Sequence, residues 1–560
     1  MKRSIFATVC AFFMLASLSA CQTIPEHSKV MPGLSKLSQA EQQVLFNPSG
    51  PLPNASQEEI VRGFLEAAAA ANSNYEIARE YLTPQYQNSW QPVGVIVDEN
   101  TRSFSQISDR VTKITTSAIA ILSAAGELVH QQPQAQNVDL RFELERYDDE
   151  WRISSAPANL VLDYSTFTAV WSKRSLAFVD AAGSIVPDTR WVLNGSGSVT
   201  ETIEHMLRGP ATRLQDVVQS AFGAGVRLTA PVKVHNGRAY IQVSEDFADA
   251  PESDMSITRA QLAKTLSNFD YISNFVLSSN GRKITQGKIA KQQASTTSTP
   301  AYALTAERIL SFDATAATEI LALYPTLNKL NPSDITLLPR TTANAEKLTP
   351  QMAVLHNGAV SLVSADRVTT LSNQHNNLAP SVDKWAYIWT GTFDGAKTVR
   401  AYTANKDELQ LDLPANIAHT RLKSVRIAPD GSQLALLVQN GNSSSVYLAG
   451  VVRAANGTPL RLTTEAHLTL NAPGTALDLD WLTDGKLALL THSGDISVTT
   501  VGGNGSFGNE LTRAPSGRSL AGSTAADVRV LNAEGEVFSQ RESLVWNQIA
   551  SGVRVLIKNN

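Results

Sequence analysis

The chain has 560 residues, enough for three or four domains of about 150 residues each, with sizeable cores. Charged residues make up 18% and hydrophobic residues 43%, so the high charge and low apolar content that keep chains disordered are both missing. Forty-seven basic residues against 51 acidic ones leave a balance of −4, which supplies no cationic excess for a nucleic-acid backbone and excludes nucleic acid as an expected partner.

Lys2 and Arg3 open the chain, Ile5 to Leu18 is a nearly uncharged apolar run, and Leu18, Ser19, Ala20 and Cys21 close it with small residues. That is the pattern of an export signal over 1–20; the run is shorter than the roughly 20 residues that span a bilayer, and the polar Gln22, Thr23 and Glu26 follow at once. The two cysteines are Cys10, inside the signal, and Cys21, so removal of 1–20 leaves one terminal thiol and no intramolecular disulfide. An unmodified lone thiol would be a liability in an oxidising compartment, which suits lipid modification. The Leu18–Cys21 quartet is similar to the lipobox of bacterial lipoproteins. That resemblance implies cleavage before Cys21, a thioether-linked diacylglycerol on its sulfur and an acylated amine. Cys21 is thus the one expected site residue, a lipidation site.

Residues 21–55 carry Pro25, Pro32, Gly33, Pro48, Gly50, Pro51 and Pro53 and read as the lipidated N-terminus and a tether. Ser56 with Glu59 forms a capping box before Ile60, Phe64, Leu65 and Ala68 on one helical face, and Tyr75 to Leu82 suggests a second helix ended by Pro84. Val138, Leu140, Phe142 and Leu144 alternate with polar residues as in a strand, and Asp148 and Asp149 turn the chain toward Trp151 and Ile153. Helices followed by a curved antiparallel sheet resemble the NTF2-like fold, expected over 56–164.

Over 165–285 the pattern changes. Leu176 to Val179 reads as a strand turning at Gly183. Ser198 and Glu201 suggest a second capping box, before a helix with Ile203, Met206 and Leu207 that Gly209 and Pro210 stop. A further helix is expected with Leu214, Val217, Val218 and Ala221, and another from Thr258 to Phe269 before the strand Phe275 to Leu277. Asn236 and Gly237, between apolar alternations, are a strong hairpin signal because both tolerate positive φ. The order of elements, with "MLRGP" and "VHNGRAYIQVS", resembles the GerMN domain, an α/β fold.

The Thr/Ser/Gln stretch 286–300 reads as a linker. Beyond it, "RIAPDGSQLALLV" is echoed by "DWLTDGKLALLT", each a strand, an Asp-Gly turn and an apolar strand; with Asp383, the repeats fall about 50 residues apart. Four-stranded propeller blades fit this spacing, giving roughly five to seven blades over 301–560; a β-sandwich with two similar hairpins is the competing architecture. The expected fold class is therefore multidomain α+β and all-β, ending in a β-propeller.

Catalytic signatures are sparse. Gly503 to Gly508 matches GxGxxG but neither precedes a helix nor sits in a βαβ unit, so a blade loop is expected. Ser381 and Lys384 match SxxK, yet Trp385 to Trp389 read as a strand, whereas that nucleophile needs a helix. The nine histidines form no zinc-type pair, no GxSxG elbow occurs, and no cofactor or metal is expected. Asp478 and Asp480 could share one side of a strand, with a solvated face or a blade turn as the plain reading.

The stretch "GPLPNASQEEIVRGFLEAAAAANSNYEIAREYLTPQYQNSW", from Gly50 to Trp90, and the order of lipobox, N-terminal domain, GerMN domain and propeller resemble the actinobacterial lipoprotein LpqB family. The resemblance implies a non-enzymatic, lipid-anchored protein on the extracytoplasmic face of the cell membrane. It also implies contact with the extracytoplasmic domain of a sensor histidine kinase of the MtrB type, in two-component signalling for cell-envelope homeostasis. The alternative is a binder or hydrolase of cell-wall glycan using the propeller mouth, where Trp385, Trp389 or Trp481 could stack on sugars.

Overall fold

The computed structural model describes residues 48–559 except 71–74, 245–246, 248–251, 285–300, 313–317, 340–349, 396, 473, 483–484, 494, 503–504, 506, 508–513, 515, 523, 525–526 and 541–544. The export signal, Cys21, most of the tether and the 286–300 linker lie outside the described residues. The end of the tether is tied down, with Tyr81 Oη donating to Ser49 O at 2.9 Å and Asn54 N to Glu150 Oε2 at 2.9 Å.

The helix Gln57–Ala69 starts where the capping box puts it. Glu59 N donates to Ser56 Oγ, Ser56 N donates to Glu59 Oε2 at 2.7 Å, and Ile60, Phe64, Leu65 and Ala68 are buried. Its second partner is shorter than expected, Glu76–Glu80, and Pro84 does not merely end it. Pro84 opens a further helix, Pro84–Ser89, from the first-turn position where the missing N–H costs nothing, with Thr83 as the cap. These helices pack on a five-stranded sheet in the order Glu150–Ser155, Leu128–Tyr147, Val111–Ser123, Gly94–Ser108, Asn159–Asp163, the last pairing being parallel. Asp148 and Asp149, at φ 49° and 63°, make the two-residue turn, with Tyr147 opposite Glu150.

In the middle domain the strands Trp171–Asp180 and Ile185–Leu193 pair through a turn at Gly183 (φ 80°), and Asn236 and Gly237 close the hairpin of Lys233–His235 and Arg238–Val243. Two expectations fail. The helix Ser198–Arg208 is entered from Gly197 with no side-chain cap; Ser198 lies one residue inside it, so the Ser198/Glu201 capping box does not form. The segment around Leu214 to Ala221 is a 3-10 turn, Thr212–Leu214, and a short strand, Val218–Gln219, because Val218 pairs with Asp180 on the sheet edge and sheet pairing overrides a helical apolar period. The next helix runs Glu252–Leu266, and the strand Asn274–Ser279 pairs in parallel with Arg238–Val243.

The third region forms six blades among the described residues. Blade 1 spans 334–372, blade 2 381–412, blade 3 421–472, blade 4 475–502 and blade 5 517–550. Blade 6 is a composite: its inner strand is the C-terminal Val553–Asn559, its next strands are Tyr302–Thr305 and Ile309–Ser311. Tyr302 lies opposite Ile557, and Ile557 also pairs in parallel with Ile335 of blade 1, so the two ends of the region close the ring. The first strands of successive blades lie against one another around the axis.

Candidate functional site

The residues singled out by sequence are taken up by structural contacts. Ser381 lies on the two-residue strand Ser381–Val382, and its Oγ accepts from Ile427 N at 3.0 Å; no helix aligns it with Lys384, whose Nζ lies 3.5 Å from Asp180 and over the Trp385 ring. Asp383, between them, is buried. Its Oδ2 accepts from Arg453 Nη2 at 2.7 Å and from Trp389 Nε1 at 2.9 Å, and its Oδ1 from the N–H groups of Trp385 and Tyr387. Trp481 is buried as well and donates Nε1 to Arg426 O at 2.9 Å. Trp385 is half-buried, with Arg453 4.1 Å from its ring centroid and Gly431 and Gly457 so close that a Cβ at either would overlap the indole. Among the described residues, no three His, Cys, Asp or Glu side chains come together as metal ligands.

Asp478 and Asp480 do share one side of a strand, but that side faces the propeller core and not solvent. They are joined there by Asp334, Arg426 and Lys558 from the inner strands of blades 1, 3 and 6. Lys558 Nζ lies 2.8 Å from both Asp478 oxygens and 3.8 Å from Asp334 Oδ2, while Arg426 Nη2 lies 3.4 Å from Asp334 Oδ2. Arg426 also donates to Pro380 O and Leu479 O, tying three blades together. Three carboxylates thus face two cations. Burial raises the Asp334 carboxyl and pushes Asp480 up to about 7; at Asp478 burial acts the same way, but Lys558 and Arg426 outweigh it and hold the carboxyl low. Sequence reasoning missed Asp334, Arg426 and Lys558. For Arg426 and Lys558 the signal is charge inside otherwise apolar strands, one in "SVRIA" and two in "VRVLIKN".

A second charged assembly sits where the three domains meet. Asp188, buried in the middle domain, accepts from Arg190 Nη1 at 2.6 Å, Arg213 Nη2 at 2.5 Å and Ala211 N at 2.8 Å. Arg190 Nη2 lies 3.4 Å from Glu127 of the first domain. A cavity of about 270 Å³ beside them is also lined by His467 and Thr469 of blade 3, and burial, then Arg213, depresses the His467 imidazole. Gly126 (φ 68°) lets the first domain press on the middle one, since a Cβ there would overlap Trp191 O, and Trp191 N donates to Gly126 O at 2.8 Å.

Of the GxGxxG stretch, Gly505 and Phe507 are described, and both lie outside helix and strand, after the last strand of blade 4. Gly505 O accepts from Trp191 Nε1 at 3.2 Å, and the Phe507 ring lies 5.0 Å from Trp191, 5.6 Å from Phe167 and 5.7 Å from Tyr164. The helix Tyr164–Val170 that presents Phe167 is capped by Asp163. Burial opposes ionisation of that carboxyl, but hydrogen bonds from Ser165 and Thr166 hold it at about 2. Gly505 and Phe507 are therefore a clasp between domains.

This is a three-domain chain built of two α+β modules and a propeller whose described residues form six blades in a closed ring. Comparison with known families assigns each part. "Lipoprotein LpqB, N-terminal domain" matches residues 50–168, "Sporulation and spore germination" matches 175–285, and "Lipoprotein LpqB beta-propeller domain" matches 336–555. The chain belongs to the LpqB lipoprotein family. It is 24% identical over 578 residues to lipoprotein LpqB of Cutibacterium acnes, covering 96% of each chain, and 25% identical over 547 residues to that of Rhodococcus jostii, covering 89% of this chain and 87% of the relative. Among solved structures, it is similar to the first GerMN domain of the sporulation protein GerM from Bacillus subtilis, at 19% identity and a TM-score of 0.19, over 22% of this chain and 96% of that one. Membership of a lipoprotein family makes this a membrane-anchored envelope protein; among the described residues no helix is long and apolar enough to cross a membrane.

Proposed function

We propose that the protein is a non-enzymatic accessory regulator of an MtrB-type sensor histidine kinase. It is anchored through lipid on Cys21 to the extracytoplasmic face of the cell membrane and acts in cell-envelope homeostasis. The observation that carries this reading is the junction of the three domains, where the Asp188, Arg190, Arg213 and Glu127 assembly and the Phe507 clasp hold the modules in a fixed arrangement. A regulator must favour one signalling state of its partner, since equal affinity for both shifts nothing, and a fixed spacing of contact surfaces is suited to such discrimination. Family membership supports the same reading. Of the three aromatic residues a glycan platform would use, Trp389 and Trp481 are buried with their N–H groups donated inward, and Trp385 is half-buried against Arg453, Gly431 and Gly457, which favours a protein partner over cell-wall glycan.

Sharing one membrane raises the effective concentration of both partners, so contacts too weak to hold in solution become occupied. The test compares autophosphorylation of the kinase in liposomes with the lipidated protein, with its Cys21→Ser form, or with neither. Cys21→Ser should abolish membrane retention, and phosphorylation should change only with the lipidated form. Identical phosphorylation in all three would overturn direct modulation.

A further inference from the structure

The sheet of the middle domain that carries the Asn236-Gly237 hairpin is covered on one side only. Its four strands lie in the order Arg282–Lys283, Asn274–Ser279, Arg238–Val243, Lys233–His235. On the inner side Ala239, Ile241, Val243 and Leu277 are buried in the domain core. On the outer side Lys233, His235, Arg238, Tyr240, Gln242 and Lys283 are all exposed. Register gathers them: Arg238 stands opposite His235, Tyr240 opposite Lys233, and Gln242 and Lys283 flank Ser278. Directly opposed residues share a face, so three Lys or Arg side chains, a histidine and a tyrosine occupy one surface about 15 Å wide, three strand spacings of about 4.8 Å.

The positive charge of this surface is not offset within the sheet. The four strands contain no Asp or Glu, and Lys233, Arg238 and Lys283 pair with no carboxylate among the described residues. The chain as a whole has a formal charge of −4, so the surface is opposite in sign to the molecule that carries it. Charge segregated in this way acts on association and not on the fold.

Two observations favour a lipid surface as the occupant. Pro48, the first described residue, stands 27 positions after Cys21 (48 − 21), which limits their separation to about 97 Å at 3.6 Å per residue, so in an anchored protein the sheet stays close to headgroups at all times. The residue types fit as well: Lys and Arg are drawn to anionic headgroups, and a tyrosine, here Tyr240 at 39% exposure, is the amphipathic ring enriched at the membrane–water boundary. We propose that this face of the middle domain docks on anionic phospholipid headgroups and orients the anchored protein on its membrane. At about fivefold in affinity per Lys or Arg beside such a surface, three of them supply roughly a hundredfold, which orients a tethered domain but does not retain an untethered one at physiological salt. The proposal rests on the membrane-anchored reading and is independent of the kinase; each can fail alone.

The experiment is co-sedimentation of the chain 21–560 carrying Cys21→Ser, which has neither export signal nor acyl chain, with vesicles of phosphatidylglycerol and phosphatidylcholine or of phosphatidylcholine alone. At about 20 mM salt it should bind the anionic vesicles and not the neutral ones, and binding should fall at least tenfold by about 150 mM. The triple variant K233Q/R238Q/K283Q, altered only at exposed positions, should keep its melting temperature and bind about a hundredfold more weakly. The control K329Q/R367Q/K397Q removes three exposed cations of the propeller region, changes the net charge equally and should bind as the parent does. Absence of binding at low salt, equal binding to neutral vesicles, or equal loss in the two triple variants would overturn the proposal. Saturable binding of polyglutamate without vesicle binding would also overturn it and give the face to an acidic polymer.

Discussion

At the scale of single residues, the charges of this molecule do structural work in places where water is absent, and their cost depends on how well each is paired. Asp383 with Arg453 is a closed pair, both buried, and the carboxylate accepts from four donors. Asp383→Ala should cost about 3–5 kcal/mol in denaturant unfolding because it leaves the Arg453 guanidinium buried and uncompensated; a loss below 1 kcal/mol would mean that solvent reaches the site. Asp480 is the opposite case. It is fully buried, its Oδ2 has no partner among the described residues, and burial raises its carboxyl from 3.8 to about 7. A carboxyl whose folded pKa is raised contributes fully below its unfolded value near 4, and that contribution is lost as pH rises through about 7. Asp480→Asn keeps the shape and removes the titration. The stability difference between variant and wild type should be small below pH 4, grow in the variant's favour from pH 4 to 7, and level off above it at about 4 kcal/mol, the rise from 3.8 to about 7 at about 1.4 kcal/mol per pH unit. Comparing the two proteins cancels the opposite slope of carboxyls held low, such as Asp163 and Asp478. A difference that does not change with pH would show that the Asp480 carboxyl titrates alike in the folded and unfolded chain and is not raised by burial.

At the scale of elements, local chemistry explains what forms and long-range pairing explains what closes. The propeller is sealed by Val553–Asn559, where Ile557 stands between Tyr302 on one side and Ile335 on the other. A proline removes a ladder donor and is rejected from a strand paired on both edges. Ile557→Pro should therefore open the ring, lowering the melting temperature of the propeller by 10 °C or more, on the order of 3 kcal/mol or above, and exposing 301–311 and 550–560 to limited proteolysis. Protection equal to wild type would show that the other strands of blade 6 suffice. The hairpins at Asp148-Asp149, Asn236-Gly237 and Asp430-Gly431 were legible in the sequence because their turn residues supply positive φ within four positions. The capping box at Ser56 was legible because both side chains that make it, Ser56 and Glu59, stand three positions apart. The helix expected around Leu214 to Ala221 was not, because its apolar residues are buried as expected but as the edge of a sheet whose other member, Asp180, lies far off in the chain.

At the scale of the whole molecule, the sequence carried the kinds of domain and not the way they meet. Propeller repeats and module order are periodic or sequential signals, whereas the clasp joins Trp191 to Gly505 across 314 positions, and nothing local to either residue announces the other. The GxGxxG pattern gave no hint that its phenylalanine enters an aromatic nest made by another domain. The Phe507 ring is buried against Tyr164, Phe167 and Trp191, and side chains of that size cost about 3–5 kcal/mol when truncated in a packed site. None of that packing is internal to the propeller, so its loss should fall on the arrangement of domains and not on their separate cores. In Phe507→Ala, each domain should melt within about 2 °C of wild type, small against the roughly 2–4 °C per kcal/mol expected of a domain this size. The radius of gyration from solution scattering should rise, and hydrogen exchange should accelerate at 164–171 and 187–193, the segments that form the nest. The remaining bridges, Lys384 with Asp180 at 3.5 Å and Arg461 with Asp216 at 3.3 Å, are partly or largely exposed and contribute too little to hold the propeller in place alone. If modulation of the kinase depends on a fixed arrangement, the same variant should retain membrane anchoring and lose its effect on autophosphorylation in liposomes. Unchanged scattering and exchange would place the rigidity in the Asp188 assembly; loosened domains with full modulation would show that one domain acts without the others.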